Sequence, residues 1–137
     1  MRVTALDHVN INTNKLEETI RFYVEGLGLP LGPMPTSLNT GKAADVRGAR
    51  VCDAFGNAIF HFIHSDKAEQ APPSAPIDHV ALACEDREGF MARLNAAGYP
   101  FKSVDLSEYG RYQLVVHDPN GITIHLSFLI GNEGGRT

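Results

Sequence analysis

The chain has 137 residues, enough for one compact domain or two very small modules, and 43% of them are apolar, enough for a core. A net charge of −4 with no basic cluster argues against nucleic acid or an anionic membrane surface as partner. No apolar run of about 20 residues is available to span a bilayer, and the opening MRVTALDHVN lacks the apolar stretch of a secretory signal, so a cytoplasmic location is expected.

In chain order, Leu6 to Ile11 reads as a strand in which Val9 and Ile11 alternate with His8 and Asn10. Asn14 is the expected cap of a helix over 15–25, with Leu16, Ile20, Tyr23 and Leu27 on one face and Gly26 and Gly28 ending it. The segment 31–43 has no periodicity and reads as a loop with one short strand at most. Residues 47–53 and 57–64 read as a hairpin around Ala54-Phe55-Gly56. A Pro-, Ala- and Ser-rich linker follows over 65–76.

The pattern then repeats. Ile77-Asp78-His79-Val80-Ala81-Leu82 resembles Leu6-Asp7-His8-Val9-Asn10-Ile11, about half a chain length away. Asp86 is the expected cap of a helix over 87–97, with Phe90 and Leu94 on its apolar face and Gly98 as its stop. Residues 101–106, 112–117 and 122–129 read as three strands, and Asp118-Pro119-Asn120-Gly121 has strong turn chemistry. Each half therefore reads β-α-β-β-β, an α+β plan. The expected division is 1–64, the linker, 77–130 and a tail over 131–137. A helix covers one sheet face in each half and leaves the other to the partner half.

The two cysteines, Cys52 and Cys84, are isolated, which excludes a CxxC metal site and fits a reducing compartment. The six histidines are the informative feature of the composition. If Val9, Ile11, Val80 and Leu82 pack on the helices, His8 and His79 face the concave side. Ile122, Ile124, Leu126 and Phe128 alternate with Thr123, His125 and Ser127, which turns His125 the same way. The strand Ala58-Ile59-Phe60-His61-Phe62-Ile63-His64 is apolar on both sides, and His61 points inward only if Phe60 and Phe62 face the helix. A single histidine on such a face is ordinarily satisfied by a carbonyl or a polar side chain. Four of them, two at equivalent repeat positions, favour convergence of His8, His61, His79 and His125 on one ion. His64 and His117, near strand ends, read as surface residues.

LDHVNI with KLEETIRFYVEGLGL, then AIFHFI, IDHVALACEDREGFMARLNAAGYPF and YQLVVHDPNGITIHL together resemble the vicinal oxygen chelate superfamily. That superfamily holds glyoxalases, fosfomycin and bleomycin resistance proteins and extradiol dioxygenases. The resemblance implies two βαβββ modules pairing into a curved, half-barrel-like sheet with helices outside. It implies metal ligands at His8, His61, His79 and position 125, and a divalent ion such as Zn, Ni, Fe or Mn. At position 125 the resemblance leads one to expect glutamate, and this chain has histidine. A ligand glutamate also serves as the base in the glyoxalase branch. A histidine moves a proton only on leaving the ion, and the all-histidine set favours softer transition metals over Mg.

His125, Gln113 and Tyr112 are the candidate catalytic residues, and Asn10, Arg50 and Gln113 the candidate substrate contacts. Arg47 and Arg50 border the loop of the first half, where a guanidinium clamps an anionic group bidentately. Tyr109 and Tyr112, flanking Gly110, are expected over the pocket mouth, and Glu108 is the nearest loop carboxylate to the pocket and a candidate base. The function expected is a metal-dependent lyase or isomerase acting on a small oxygenated substrate as a homodimer. Extradiol dioxygenation and metal-free drug binding, as in resistance proteins, are the rivals.

Overall fold

A computed structural model of the chain describes residues 1–33 and 47–131. It divides into two compact units, Met1–Glu69 and Gln70–Thr137.

In the first unit β1 (Val9–Thr13) leads into α1 (Leu16–Arg21), which runs on as a π-helical turn over Phe22–Gly26; β2 (Leu31–Gly32), β3 (Gly48–Cys52) and β4 (Ala58–His64) follow. The sheet order is β1-β4-β3-β2, with β1 parallel to β4 and the other pairs antiparallel. The short strand expected in 31–43 is β2, at the start of that segment; the remainder lies outside the described residues. The chain enters at one sheet edge and returns at the other, so the helix has to cross a sheet face.

The apolar pattern decides which face. Ile11, Phe60 and Phe62 are buried, and the Tyr23 ring lies 4.9 Å from both the Phe60 and the Phe62 ring. This settles the ambiguous parity of β4: the phenylalanines cover the helix and His61 lies on the opposite face. The π turn is the departure from expectation. Leu27 N–H reaches back to the Phe22 carbonyl at 3.0 Å, one residue further than an α-helix allows. The wider turn lets the consecutive Phe22 and Tyr23 both become fully buried. Each such side chain contributes about 1.5–3 kcal/mol on burial, more than one imperfect hydrogen bond costs.

The helix start also differs. Asn14 does not cap it; its side-chain amide donates to the Ala68 carbonyl at 3.0 Å. The N-cap is Lys15, and the Thr13 hydroxyl accepts from the Lys15 N–H at 2.9 Å just ahead of the helix and lies 3.2 Å from the Thr19 hydroxyl. Thr13 is buried on the helix-covered side of β1, so its oxygen is in place where the exposed Asn14 side chain is not.

The second unit repeats the plan: β5 (His79–Cys84), α2 (Arg87–Ala97), β6 (Lys102–Leu106), β7 (Arg111–His117) and β8 (Thr123–Leu129), in the order β5-β8-β7-β6. Here α2 spans the residues the pattern predicts. The Asp86 carboxylate accepts from Gly89 N–H at 3.0 Å, and Gly98 closes the helix at φ 81°. Leu94, Ile124 and Leu126 are fully buried, and Phe90 meets Phe128 at 5.6 Å between ring centres.

The two units also share a turn. Asp53 accepts from Phe55 and Asn57 N–H at 2.9 Å each before β4, and Asp118 accepts from Asn120 N–H at 2.9 Å and Ile122 N–H at 2.8 Å before β8. Each turn places a glycine at positive φ, Gly56 at 85° and Gly121 at 81°.

Candidate functional site: two histidine pairs

On β1, Asn10 and Asn12 are exposed while Ile11 and Thr13 are buried, so the face opposite the helix carries the polar residues. The register sets Asn10 beside His61 on β4. His8, two residues earlier on the same side, therefore reaches His61: the imidazoles stack at 3.9 Å between centres with 11° between planes. The second unit repeats this. Ala81 pairs with His125 on β8, and His79 stacks on His125 at 3.9 Å and 9°. The structure thus gathers the four candidate histidines as two equivalent pairs, one in each unit. Among the described residues, no group of three or more His, Cys, Asp and Glu side chains is gathered for a metal.

Each pair has an aspartate behind it. His8 Nδ1 lies 2.5 Å from Asp7 Oδ2, and His79 Nδ1 lies 2.8 Å from Asp78 Oδ2. A carboxylate on Nδ1 fixes the tautomer and leaves Nε2 as the free lone pair, the arrangement that orients histidine toward a metal. The hydrogen bond and charge of His8 in turn lower the Asp7 pKa. Sequence reasoning gave these aspartates no role. The signal was the Asp-His dipeptide, present at the same place in both halves.

The inner histidines are held neutral. Burial lowers the His61 pKa first, and the charges of His8 and Arg50 add to it against a hydrogen bond with the Ala58 backbone. Burial likewise lowers that of His125, with His79 next. Neutral imidazole is the form that ligates. Imidazole donors, one in each unit oriented by a carboxylate, suit Zn, Ni or Fe.

One residue breaks the equivalence. Arg50 is the register partner of His61 on β3, and its Nε–H donates to His61 Nε2 at 3.2 Å while Nη1 donates to the Pro33 carbonyl at 3.3 Å. The register partner of His125 on β7 is Val115, which has no donor.

The other candidates sort by strand parity. Gln113 pairs with Ser127 on the face that carries His125, whereas Tyr112, Leu114 and Val116 belong to the helix-covered side. Tyr112 lies under the Arg87 guanidinium of α2, 4.3 Å from its ring centre. This corrects its assignment as a catalytic residue: the phenol packs against α2, away from the histidine face. Asn10 donates to Asn12 at 3.1 Å on the exposed face of β1. Arg47 is an exposed partner of Glu17 at 3.5 Å rather than a clamp, and Tyr109 and Glu108 sit in an exposed 3-10 turn. His64 is half-buried with Nε2 2.9 Å from Asp66, and His117 is exposed beside the Thr123 hydroxyl at 3.2 Å. In the second unit a cleft of about 310 Å³ opens beside Asp78, His117 and Thr123, with Ala71, Pro72 and Ile77 as its apolar wall.

Known proteins share this architecture. The sequence profile of the Glyoxalase/Bleomycin resistance protein/Dioxygenase superfamily matches residues 5–126. The chain is 27% identical over 133 residues to a protein named Glyoxylase I 4 from Arabidopsis thaliana, covering 92% of this chain and 71% of the relative. Its fold is similar to that of a glyoxylase/bleomycin resistance protein/dioxygenase domain from Frankia sp. EAN1pec, with a TM-score of 0.75, 18% identity and 95% of each chain covered. It is also similar to lactoylglutathione lyase from Agrobacterium tumefaciens, with a TM-score of 0.63, 14% identity, and 93% and 96% of the two chains covered. The chain belongs to the Glyoxalase/Bleomycin resistance protein/Dioxygenase superfamily, the vicinal oxygen chelate proteins. Among the described residues, no helix is long and apolar enough to cross a membrane.

Proposed function

We propose that this protein is a metal-dependent enzyme of the glyoxalase type, a lyase or isomerase acting on a small oxygenated molecule. His8, His61, His79 and His125 are the proposed donors. The observation that carries the proposal is the repeated Asp-His/His unit, in which a carboxylate on Nδ1 leaves Nε2 for an ion. A bound divalent ion supplies Lewis acidity toward substrate oxygens. The chain's own residues do the rest. Asp7 and Asp78 hold the outer imidazoles, burial keeps His61 and His125 unprotonated, and Gln113 offers an amide to a substrate oxygen beside His125. His125 takes the place where a carboxylate base is expected, and a neutral imidazole accepts a proton there once its lone pair is free. Arg50 and Asn10 are the proposed substrate contacts in the first unit. The open sheets, with β1 and β2 as edges of one and β5 and β6 of the other, support a homodimer, which sedimentation checks.

Elemental analysis of protein purified without added metal tests the reading. A transition ion is expected, and alanine at His8 or His79 is expected to lower its content. Protein that stays metal-free and binds no added ion removes the proposal in favour of a ligand-binding protein. With metal present, turnover of methylglyoxal hemithioacetal supports the lyase reading, and oxygen uptake with a catechol supports dioxygenation instead.

A further inference from the structure

Arg50 occupies the nitrogen that a metal needs. Its Nε–H donates to His61 Nε2 at 3.2 Å, so the neutral His61 ring carries its own proton on Nδ1 and spends its lone pair on the guanidinium. The second unit shows the same strand position without this contact, because Val115 stands opposite His125. At the inner histidine the register is the same in both sheets, the first departing from it only in a shift at Val51/Cys52, and Arg50 stands where the second unit has Val115. The Arg50 contact is therefore a property of the residue rather than a consequence of the architecture.

We infer that Arg50 is a displaceable plug on His61, and that its release couples cation binding at His61 to oxyanion binding at the guanidinium. The inference rests on the metal-dependent reading above and deepens it by naming the substrate class: a small molecule carrying a carboxylate, phosphate or similar oxyanion group. One nitrogen lone pair holds either the Arg50 N–H or an ion, never both. An ion at Nε2 would displace the Arg50 Nε–H and, with Nη1 still on the Pro33 carbonyl, leave Nε–H and Nη2–H beside the new centre for another acceptor. An oxyanion accepts two of those donors in parallel, which suits Arg more than Lys. The linkage is reciprocal: whatever pulls Arg50 away from His61 strengthens ion binding there, by the same factor with which the ion strengthens oxyanion binding. A unit positive charge a few ångströms from a dication in a water-like medium opposes it by about tenfold in affinity.

Cobalt(II) titration of the full chain, followed by visible absorption and calorimetry, tests this without any turnover. R50Q is expected to bind Co²⁺ about tenfold more tightly than wild type. V115R, which places the plug on the second pair, is expected to bind about tenfold more weakly. Sulfate, against chloride at matched ionic strength, is expected to raise Co²⁺ affinity in wild type and to leave R50Q unchanged. Nitrogen-15 spectra of the metal-free proteins supply a separate readout, with the His61 Nε2 resonance moving in R50Q. Equal Co²⁺ affinity in wild type and R50Q overturns the plug while leaving the metal reading intact. No Co²⁺ binding to either protein overturns both. Circular dichroism establishes that each variant is folded, and if V115R is not, R50Q with the sulfate arm decides alone.

Discussion

Asp7 and Asp78 hold the same place in the two units, each with a carboxylate oxygen on Nδ1 of the histidine that follows it, at 2.5 and 2.8 Å. Both aspartates are exposed, so as surface ion pairs they contribute little to stability. Their value lies in fixing the imidazole. D7N and D78N are expected to leave the melting temperature nearly unchanged and to weaken transition-metal binding by about 10–100-fold each. Competition with a chromophoric chelator measures this. Full affinity in both variants, with metal bound, means the carboxylates do not orient ligands.

The Asp86 cap makes a helix glycine indispensable in a way that composition does not show. A Cβ at Gly89 falls 2.1 Å from Asp86 Oδ2, so alanine there evicts the capping carboxylate. Gly to Ala inside a helix ordinarily stabilises by about 0.5–1 kcal/mol. Loss of an Asp cap costs about 0.5–2 kcal/mol, and Asp86, at φ 64°, is left with the bond from Phe90 N–H to its carbonyl. G89A is therefore expected to be destabilising in the wild type. In a D86G background, which has no cap to lose and tolerates the positive φ, the same change is expected to stabilise. Urea denaturation of the four proteins in this cycle gives the answer through the reversal of sign.

The Asp53 turn carries a pH dependence of known direction. Burial works against its carboxylate, but donors from Asn57, Phe55 and Gly56 outweigh that and hold its pKa below the ordinary 3.8. A carboxyl with a depressed folded pKa contributes stability that is present above the unfolded value and is lost as the pH falls through the folded one. D53N is thus expected to be less stable than wild type at pH 7, by about 1 kcal/mol for the weakened turn. That difference should shrink below pH 3.8 as the wild-type carboxyl protonates. A gap of constant size from pH 7 to pH 3 would exclude the carboxylate as the source of the turn's stability.

Much of this was legible beforehand because it rests on local periodicity. The alternation of Ile124, Leu126 and Phe128 with Thr123, His125 and Ser127 states the β8 faces outright, and Asp86 with Gly98 brackets α2. The π turn was not legible. It arises because Phe22 and Tyr23 both find space under β4, a tertiary reward that no local pattern encodes. The bond from Lys15 N–H to the Thr13 hydroxyl was hidden for a similar reason: the strand buries that hydroxyl next to Thr19. Tyr112 looks like a mouth residue because it flanks Gly110, but it already belongs to β7, whose parity puts it with Leu114 and Val116 on the helix-covered side. Arg50 was legible as a candidate, but its contact with His61 depends on cross-strand register, which the sequence does not declare.

His125 offers the most direct test of the donor assignment. It stacks on His79 and is kept neutral by burial, so as a ligand it adds no charge to offset a dication. Glutamate at 125 brings a hard oxygen donor and a negative charge, both of which favour Mn²⁺ relative to Ni²⁺. H125E is therefore expected to shift the Mn:Ni affinity ratio toward Mn²⁺ by on the order of tenfold or more. It is also expected to gain lyase turnover, because a ligand carboxylate accepts a proton more readily than an imidazole bound to an ion. The two readouts separate two failures. An unchanged ratio removes position 125 from the donor set. A shifted ratio without a gain in turnover keeps His125 as a ligand and places the base elsewhere, with Gln113 excluded because a carboxamide has no basic lone pair at neutral pH.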